Sequence, residues 1–187
     1  MDPNITDSID IWLFAGYAGS GKTTAGMILK DILPHSFETA FAKEVKNQVS
    51  ELYDLDRTML DTQEGKATFV ESEQKTARQL LVEYSALCKQ ITHCPGIWAE
   101  YVVDEINRNP HIQHWIIHDW RYFAEVQTIR YFLPFARIHT LRIINKQVHP
   151  TMCSSERELD YAVVDHIIPN NGSIEDLTRA LTHIYRK

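Results

Sequence analysis

Gly16-Tyr17-Ala18-Gly19-Ser20-Gly21-Lys22-Thr23, with Thr24 behind it, fits the pattern G-x-x-x-x-G-K-[ST] at every fixed position. Three glycines over six positions let the backbone wrap closely around a polyphosphate, because no Cβ blocks the approach. The amide N–H groups of such a loop turn inward as a nest for anionic oxygens. The helix that follows adds the positive end of its dipole to the same spot. Lys22 is placed to reach the β- and γ-phosphates of a nucleoside triphosphate, and the Thr23 hydroxyl to ligate Mg²⁺. Gly16, Ala18, Gly19, Ser20, Gly21, Lys22, Thr23 and Thr24 are therefore the expected triphosphate contacts. The flanks agree: Ile9 to Ala15 reads as a buried strand, and Thr23 to Leu33 as a helix stopped by Pro34.

Downstream, strands alternate with helices. His35 to Ala42 reads as a second strand, Trp115 to Asp119 as a third, Ile138 to Ile144 as a fourth and Asp165 to Ile168 as the last. Helices are expected over Lys43–Tyr53, Glu73–Cys88, Ile97–Ile106 and Ala124–Leu133, with a C-terminal helix after Ser173. This pattern predicts an α/β fold, a three-layer α/β/α sandwich around a mainly parallel sheet of five strands, covered on both faces. Asp54 to Ser72, rich in charge and weak in periodicity, reads as a mobile excursion within one domain spanning 1–187. Phosphate-loop proteins commonly end a hydrophobic strand in an acid that holds Mg²⁺ or its waters, so Asp119 is a candidate metal residue beside Thr23. Arg121, two residues on, offers a forked donor to phosphoryl oxygens, and a structural ion pair with Asp119 is the alternative. On the helix pattern alone Lys46 reads as a solvated lysine. His114 and His118, about 13 Å apart along a strand at ~3.3 Å per residue, do not read as a metal pair.

Composition narrows the classes. Nineteen Lys+Arg against 25 Asp+Glu give a formal net charge of −6, which argues against a general nucleic-acid or anionic-membrane surface. Local groups must therefore collect an anionic substrate. The acidic start is unlike a signal peptide, and no apolar run approaches a membrane span. Cys88, Cys94 and Cys153, odd in number and without zinc-like spacing, read as reduced cysteines of a cytoplasmic protein. Asn145-Lys146-Gln147-Val148 departs from the guanine-reading N-K-x-D, because Val148 stands where the base-binding Asp is needed.

Five segments, in order and over most of the chain, resemble the deoxynucleoside monophosphate kinases of bacteriophages. They are the phosphate loop; Phe41-Ala42-Lys43-Glu44-Val45-Lys46 with Leu52-Tyr53-Asp54-Leu55-Asp56-Arg57; Thr76-Ala77-Arg78-Gln79-Leu80-Leu81 with Trp98; Asp119-Trp120-Arg121 with Glu125; and Asp165 to Leu177, resembling D-x-x-I-x-N-x-G-S-h-E-[DE]-L. The resemblance implies ATP and Mg²⁺, a nucleoside monophosphate acceptor, an acceptor-binding helical insert over about 43–108 and a lid over about 145–160. It gives Lys46, Arg78 and Trp98 to the acceptor's phosphate and base, and Asp119, Arg121 and Glu125 to the space between acceptor and donor. Lys22, Asp119 and Arg121 become the catalytic set, and Asn171-Gly172 lies beside the adenine. Related enzymes are often dimers, so a homodimer is an implied assembly. The chain departs from the family at Asn145-Lys146-Gln147, in place of an R-P-G-like turn, and at Cys153-Ser154-Ser155-Glu156-Arg157-Glu158-Leu159, leaving Lys146 and Arg157 as lid cations. A kinase of another phosphorylated acceptor (phosphomevalonate or dephospho-coenzyme A) and a non-catalytic ATP-gated module are the competing readings.

Overall fold

The computed structural model describes residues 9–149 and 157–185. Strand β1 (Asp10–Ala15) runs up the middle of a five-stranded sheet, and α1 (Lys22–Ile32) leaves its C-terminal end through the glycine loop. The chain continues through β2 (Ser36–Thr39), α2 (Ala42–Leu52), a 3₁₀ turn (Arg57–Asp61), α3 (Gln63–Ala67), the hairpin β3 (Phe69–Val70) and β4 (Lys75–Thr76), α4 (Ala77–Ile91) and α5 (Ile97–Arg108). It then runs through β5 (His114–Ile117), α6 (Phe123–Phe132), β6 (Arg137–Ile144), β7 (His166–Pro169) and α7 (Ile174–Tyr185). The sheet order is β2-β5-β1-β6-β7 and every pairing is parallel. β1 is thus flanked by β5 and β6, and its C-terminal end opens at the point where the strand order reverses, the place where such sheets bind ligands.

The period of two along the strands divides the core into layers. Ile11, Leu13, Ala15, Trp115 and Ile117 point to one face, under α2, α4, α5 and α6 through Val45, Val49, Leu80, Val102 and Ile129. Trp12, Phe14, Ile116, Leu141, Ile143 and Ile168 point to the other, under α1 and α7 through Ala25, Leu29, Leu177 and Leu181. This is the three-layer sandwich with a parallel five-stranded sheet that the alternating pattern predicts. Among the described residues no helix is long and apolar enough to cross a membrane.

Element boundaries differ from the sequence reading most in the charged segment after α2, which is folded rather than an excursion. Asp56 caps the 3₁₀ turn by accepting from Thr58 N, Thr62 caps α3 by accepting from Gly65 N, and Leu60 between them is fully buried. Short caps and one apolar anchor leave no periodicity to read. The second strand is also shorter than expected, because α2 begins at Ala42. Cys153 and most of the expected lid motif, residues 150–156, lie outside the described residues.

α5 starts at Gly96, where a Cβ would collide with the Thr128 hydroxyl on α6 and lie 3.1 Å from the Ala124 carbonyl oxygen. Gly96→Ala is therefore expected to cost about 1–3 kcal/mol by overpacking this crossing. Thr128→Ala recovers part of that loss, a coupling readable in a urea-denaturation double-mutant cycle.

Candidate active site

The loop between β1 and α1 is built from backbone that only glycine adopts easily. Gly16, Gly19 and Gly21 have φ of 137°, 79° and 100°. At Gly16 a Cβ would strike the Ile143 carbonyl oxygen, and at Gly21 it would strike the Asn170 side chain, so the loop lies tightly against the ends of β6 and β7. Asn170 Nδ2 donates to Ser20 O at 2.9 Å, and Asn170 N donates to Ile144 O at 2.7 Å. Asn171 Oδ1 accepts from Lys146 N at 2.8 Å, and Val148 approaches Gly19, so the turn after β6 borders the loop. A cleft of about 140 Å³ opens there, lined by Gly16, Tyr17, Ser20, Arg142, Val148 and Asp160 among others.

Two features of the loop fit a polyphosphate. The Ser20 hydroxyl is buried, 1% exposed, with no hydrogen-bond partner among the described residues. A buried orphan of this kind is costly unless an incoming group satisfies it. Lys22 Nζ donates to Gly16 O at 2.6 Å and Tyr17 O at 2.8 Å, so its ammonium is held over the loop's own rim. Thr23 and Thr24 are exposed on the first turn of α1. Among the described residues no group of three or more His, Cys, Asp or Glu could hold a metal ion.

Asp119, two residues past β5, has a second duty that the sequence does not reveal. Its Oδ1 accepts from Phe41 N and its Oδ2 from Ala42 N, both at 2.9 Å, so it caps α2 from across the sheet. Each carboxylate oxygen retains a further lone pair.

Several cations lie on α2, the 3₁₀ turn, α3 and α4. Lys46 on α2 donates to Asp61 Oδ1 at 2.8 Å, and Arg57 pairs with Asp61 Oδ2 at 2.9 Å. Arg78 on α4 donates to Gln63 Oε1 at 2.6 Å. Lys66 on α3 lies among Lys46, Arg78 and Arg121, and burial, reinforced by those neighbouring charges, holds its ammonium down to about 8. The charges of Lys46, Arg78 and Arg121 thus all bear on Lys66, which lies outside the expected set, as do Asp61 and, at the loop, Asn170. Nothing in the sequence marks Lys66 or Asp61, since neither falls in a motif; Asn170 stands in the final motif, one place before the pair singled out.

Two expected substrate contacts are placed otherwise. Trp98 is 3% exposed, donates Nε1–H to Ser85 Oγ at 2.8 Å and stacks on Tyr101 with centroids 5.9 Å apart. It forms the back wall of a second cleft, about 160 Å³, with Phe41, Glu44 and Tyr101. Glu125 is also enclosed. Its Oε2 accepts from Arg121 N at 2.9 Å and Tyr122 N at 3.1 Å, so it holds the backbone that bears Arg121. Burial pushes its carboxyl up to about 8, against the pull of those two N–H groups, and the Asp119 charge pushes the same way. Arg157, at the edge of the expected lid, carries its charge close enough to bear on Tyr17, whose hydroxyl donates to Asp160 Oδ1 at 2.8 Å.

A carboxyl raised in the folded state binds more protons there than in the unfolded chain, so its contribution to stability declines as pH rises toward 8. Glu125→Gln, which keeps the acceptor oxygen, is expected to flatten this decline. The difference in unfolding free energy between wild type and variant changes across the window from about pH 5 to about pH 8, by at most ~1.4 kcal/mol per pH unit. Denaturant titrations of both proteins at a series of pH values measure it.

No protein-family model and no curated protein matches this chain. Solved structures do match its fold. Thymidylate kinase from Candida albicans superposes with a TM-score of 0.54 at 12% identity, over 96% of this chain and 92% of its own. The Thermus thermophilus protein TT1252 superposes with a TM-score of 0.52 at 15% identity, over 96% of this chain and 97% of its own. Dephospho-CoA kinase from Campylobacter jejuni gives 0.47 at 13% identity, over 95% and 96%. At such identities the likeness is one of architecture: the chain has the parallel α/β fold of the P-loop kinases.

Proposed function

We propose that this chain transfers the γ-phosphoryl group of ATP to a (deoxy)nucleoside monophosphate, giving the diphosphate. The observation that carries this reading is the position of the cations. Beyond the loop at the end of β1, the charges of Lys46 on α2, Arg78 on α4 and Arg121 after β5 all bear on Lys66 on α3. A hydrolase needs no second anion pocket, whereas a kinase with a phosphorylated acceptor needs one for the acceptor's charge. The fold likeness to a thymidylate kinase, together with the motif order from Phe41 to Leu177, favours a nucleotide as that acceptor.

In this reading the loop amides from Gly16 to Thr24 and the Lys22 ammonium hold the β- and γ-phosphates, exchanging the rim carbonyls for phosphoryl oxygens. The Ser20 hydroxyl gains its missing partner there. Thr23, and Asp119 through water, would hold Mg²⁺, which supplies neutralising charge to the moving phosphoryl. Lys46, Arg78 and Arg121 fix the acceptor so that one of its phosphate oxygens lines up with the γ-phosphorus. That oxygen's new bond forms as the bond to the β-phosphate oxygen breaks, and ADP leaves. No covalent intermediate arises; the residues act by alignment and by cancelling charge. Asn171 and Gly172, beside the turn after β6, border the adenine.

Lys22→Ala is expected to lower turnover about 10²-fold or more, the loss seen when one charge-stabilising donor is deleted. Arg78→Ala raises KM for the monophosphate and leaves KM for ATP nearly unchanged. Both are read by ADP formation across a panel of nucleoside and deoxynucleoside monophosphates, with phosphomevalonate and dephospho-coenzyme A alongside. Product from either of the last two alone replaces the nucleotide acceptor, and tight ATP binding without product from any acceptor overturns the kinase reading.

A further inference from the structure

The cleft beside the triphosphate loop carries an acid where the loop itself suits anions. Tyr17, Ser20, Ile143, Val148, Leu159 and Asp160 are among its walls, and its volume is about 140 Å³. That is room for one part of a nucleotide, well short of the roughly 300–1,000 Å³ of a whole small-molecule site. Its walls differ in chemistry. The buried Ser20 hydroxyl has no partner among the described residues, and a phosphoryl oxygen would satisfy it. Asp160 Oδ1 accepts from the Tyr17 hydroxyl at 2.8 Å, and a carboxylate repels a phosphate. The fold does not need that carboxylate to hold its segment. Arg142 already donates to the carbonyl oxygens of Leu159, Asp160 and Ala162, Leu159 is buried in the core, and Glu158 Oε1 accepts from Phe123 N at 3.0 Å.

Among the described residues the Tyr17 hydroxyl is the one hydrogen-bond donor to the Asp160 side chain, whereas a carboxylate has about four acceptor sites. An acceptor of this kind, half-buried in a cleft that a phosphate loop borders, selects a ligand with a hydrogen-bond donor close to its phosphate. In a nucleotide the group next to the phosphate is the sugar, and the donors of a sugar are its hydroxyls. We propose that Asp160 reads a sugar hydroxyl of a nucleotide whose phosphates lie on the loop, and that Tyr17 holds it in place to do so. Tyr17 also accepts from Lys22 Nζ at its carbonyl oxygen, 2.8 Å away, so phosphate-binding and hydroxyl-reading groups are fixed to one loop residue. The proposal rests on the reading of the loop as a nucleotide site and adds the sugar to what that site selects. The sugar of ATP and the sugar of the monophosphate present the same chemistry.

Calorimetric titration of the full chain tests this and separates the two sources. One series compares AMPPNP with its 2′-deoxy and 3′-deoxy forms, in Mg²⁺. The other compares ribo-, 2′-deoxy- and 2′,3′-dideoxynucleoside monophosphates, with AMPPNP and Mg²⁺ present. In one of the two series the wild-type protein is expected to bind the form lacking the hydroxyl about 10-fold or more weakly, the scale of one hydrogen bond to a charged group. Asp160→Ala is expected to bind both forms alike, near the wild-type affinity for the weaker one, a result that a misfolded variant could not give. Asp160→Asn, which keeps an acceptor oxygen for Tyr17, is expected to retain a smaller preference of a few-fold. Equal wild-type binding of every form in both series, or an undiminished preference in Asp160→Ala, overturns the proposal. Diphosphate assays with the same nucleotides keep the two readings apart. The expected hydroxyl preference without diphosphate from any acceptor sinks the kinase and leaves the sugar contact standing. Diphosphate formed by the wild type with equal kcat/KM for every sugar, and equal binding, does the reverse.

Discussion

The carboxylate of Asp119 is the tie on which the site depends. By accepting from both Phe41 N and Ala42 N it fixes the start of α2 against the end of β5, two elements separated by most of the insert. An ionised acceptor on backbone N–H groups at a helix start is among the stronger local contacts, about 1.5–3 kcal/mol, and here the helix dipole adds to it. α2 in turn carries Lys46, while the segment after Asp119 carries Arg121. One carboxylate therefore ties the helix that bears Lys46 to the segment that bears Arg121. The same segment is secured from below by Glu125, whose enclosed oxygen takes the Arg121 and Tyr122 N–H groups.

These contacts share a physical character, since charge is concentrated where water is scarce. Glu125 is almost wholly enclosed, Lys89 is lowered by burial while Glu125 and Glu158 pull it back, and Lys66 is lowered by burial and by its cationic neighbours. Lys89 also rests 3.5 Å from the centre of the Tyr122 ring, an arrangement that compensates part of its lost hydration. On a protein with a formal net charge of −6, long-range attraction does not gather anions. In the proposed reading short-range cations do so instead, because partly buried charges are less screened than exposed ones.

The loop itself shows why a motif and its surroundings must agree. Positive φ at Gly16, Gly19 and Gly21 gives the backbone its turn, but the turn is kept by partners far along the chain. Ile143 and Asn170, from the ends of β6 and β7, leave no room for a Cβ at Gly16 and Gly21. Arg142 performs a similar service on the other side of the cleft, donating to the carbonyl oxygens of Leu159, Asp160 and Ala162 and so fastening the turn at 159–162 to β6.

How much of this was legible beforehand follows from the range of each interaction. Local rules sufficed for the glycine loop, the apolar strands beside it and the order of helices, because spacing and alternation are properties of neighbouring residues. They also pointed to Asp119 and Arg121 through the end of a buried strand. They did not mark the folded stretch from Asp56 to Ala67, whose caps and single anchor, Leu60, leave no period. They gave Trp98 and Glu125 to the substrate, whereas packing enclosed both. By itself, then, the sequence determined a parallel α/β protein with a triphosphate loop at the end of its first strand. Only the tertiary structure decided that Asp119 caps α2, that Asn170 holds the loop and that Asp61 pairs with Lys46, because those contacts join residues that no short spacing relates.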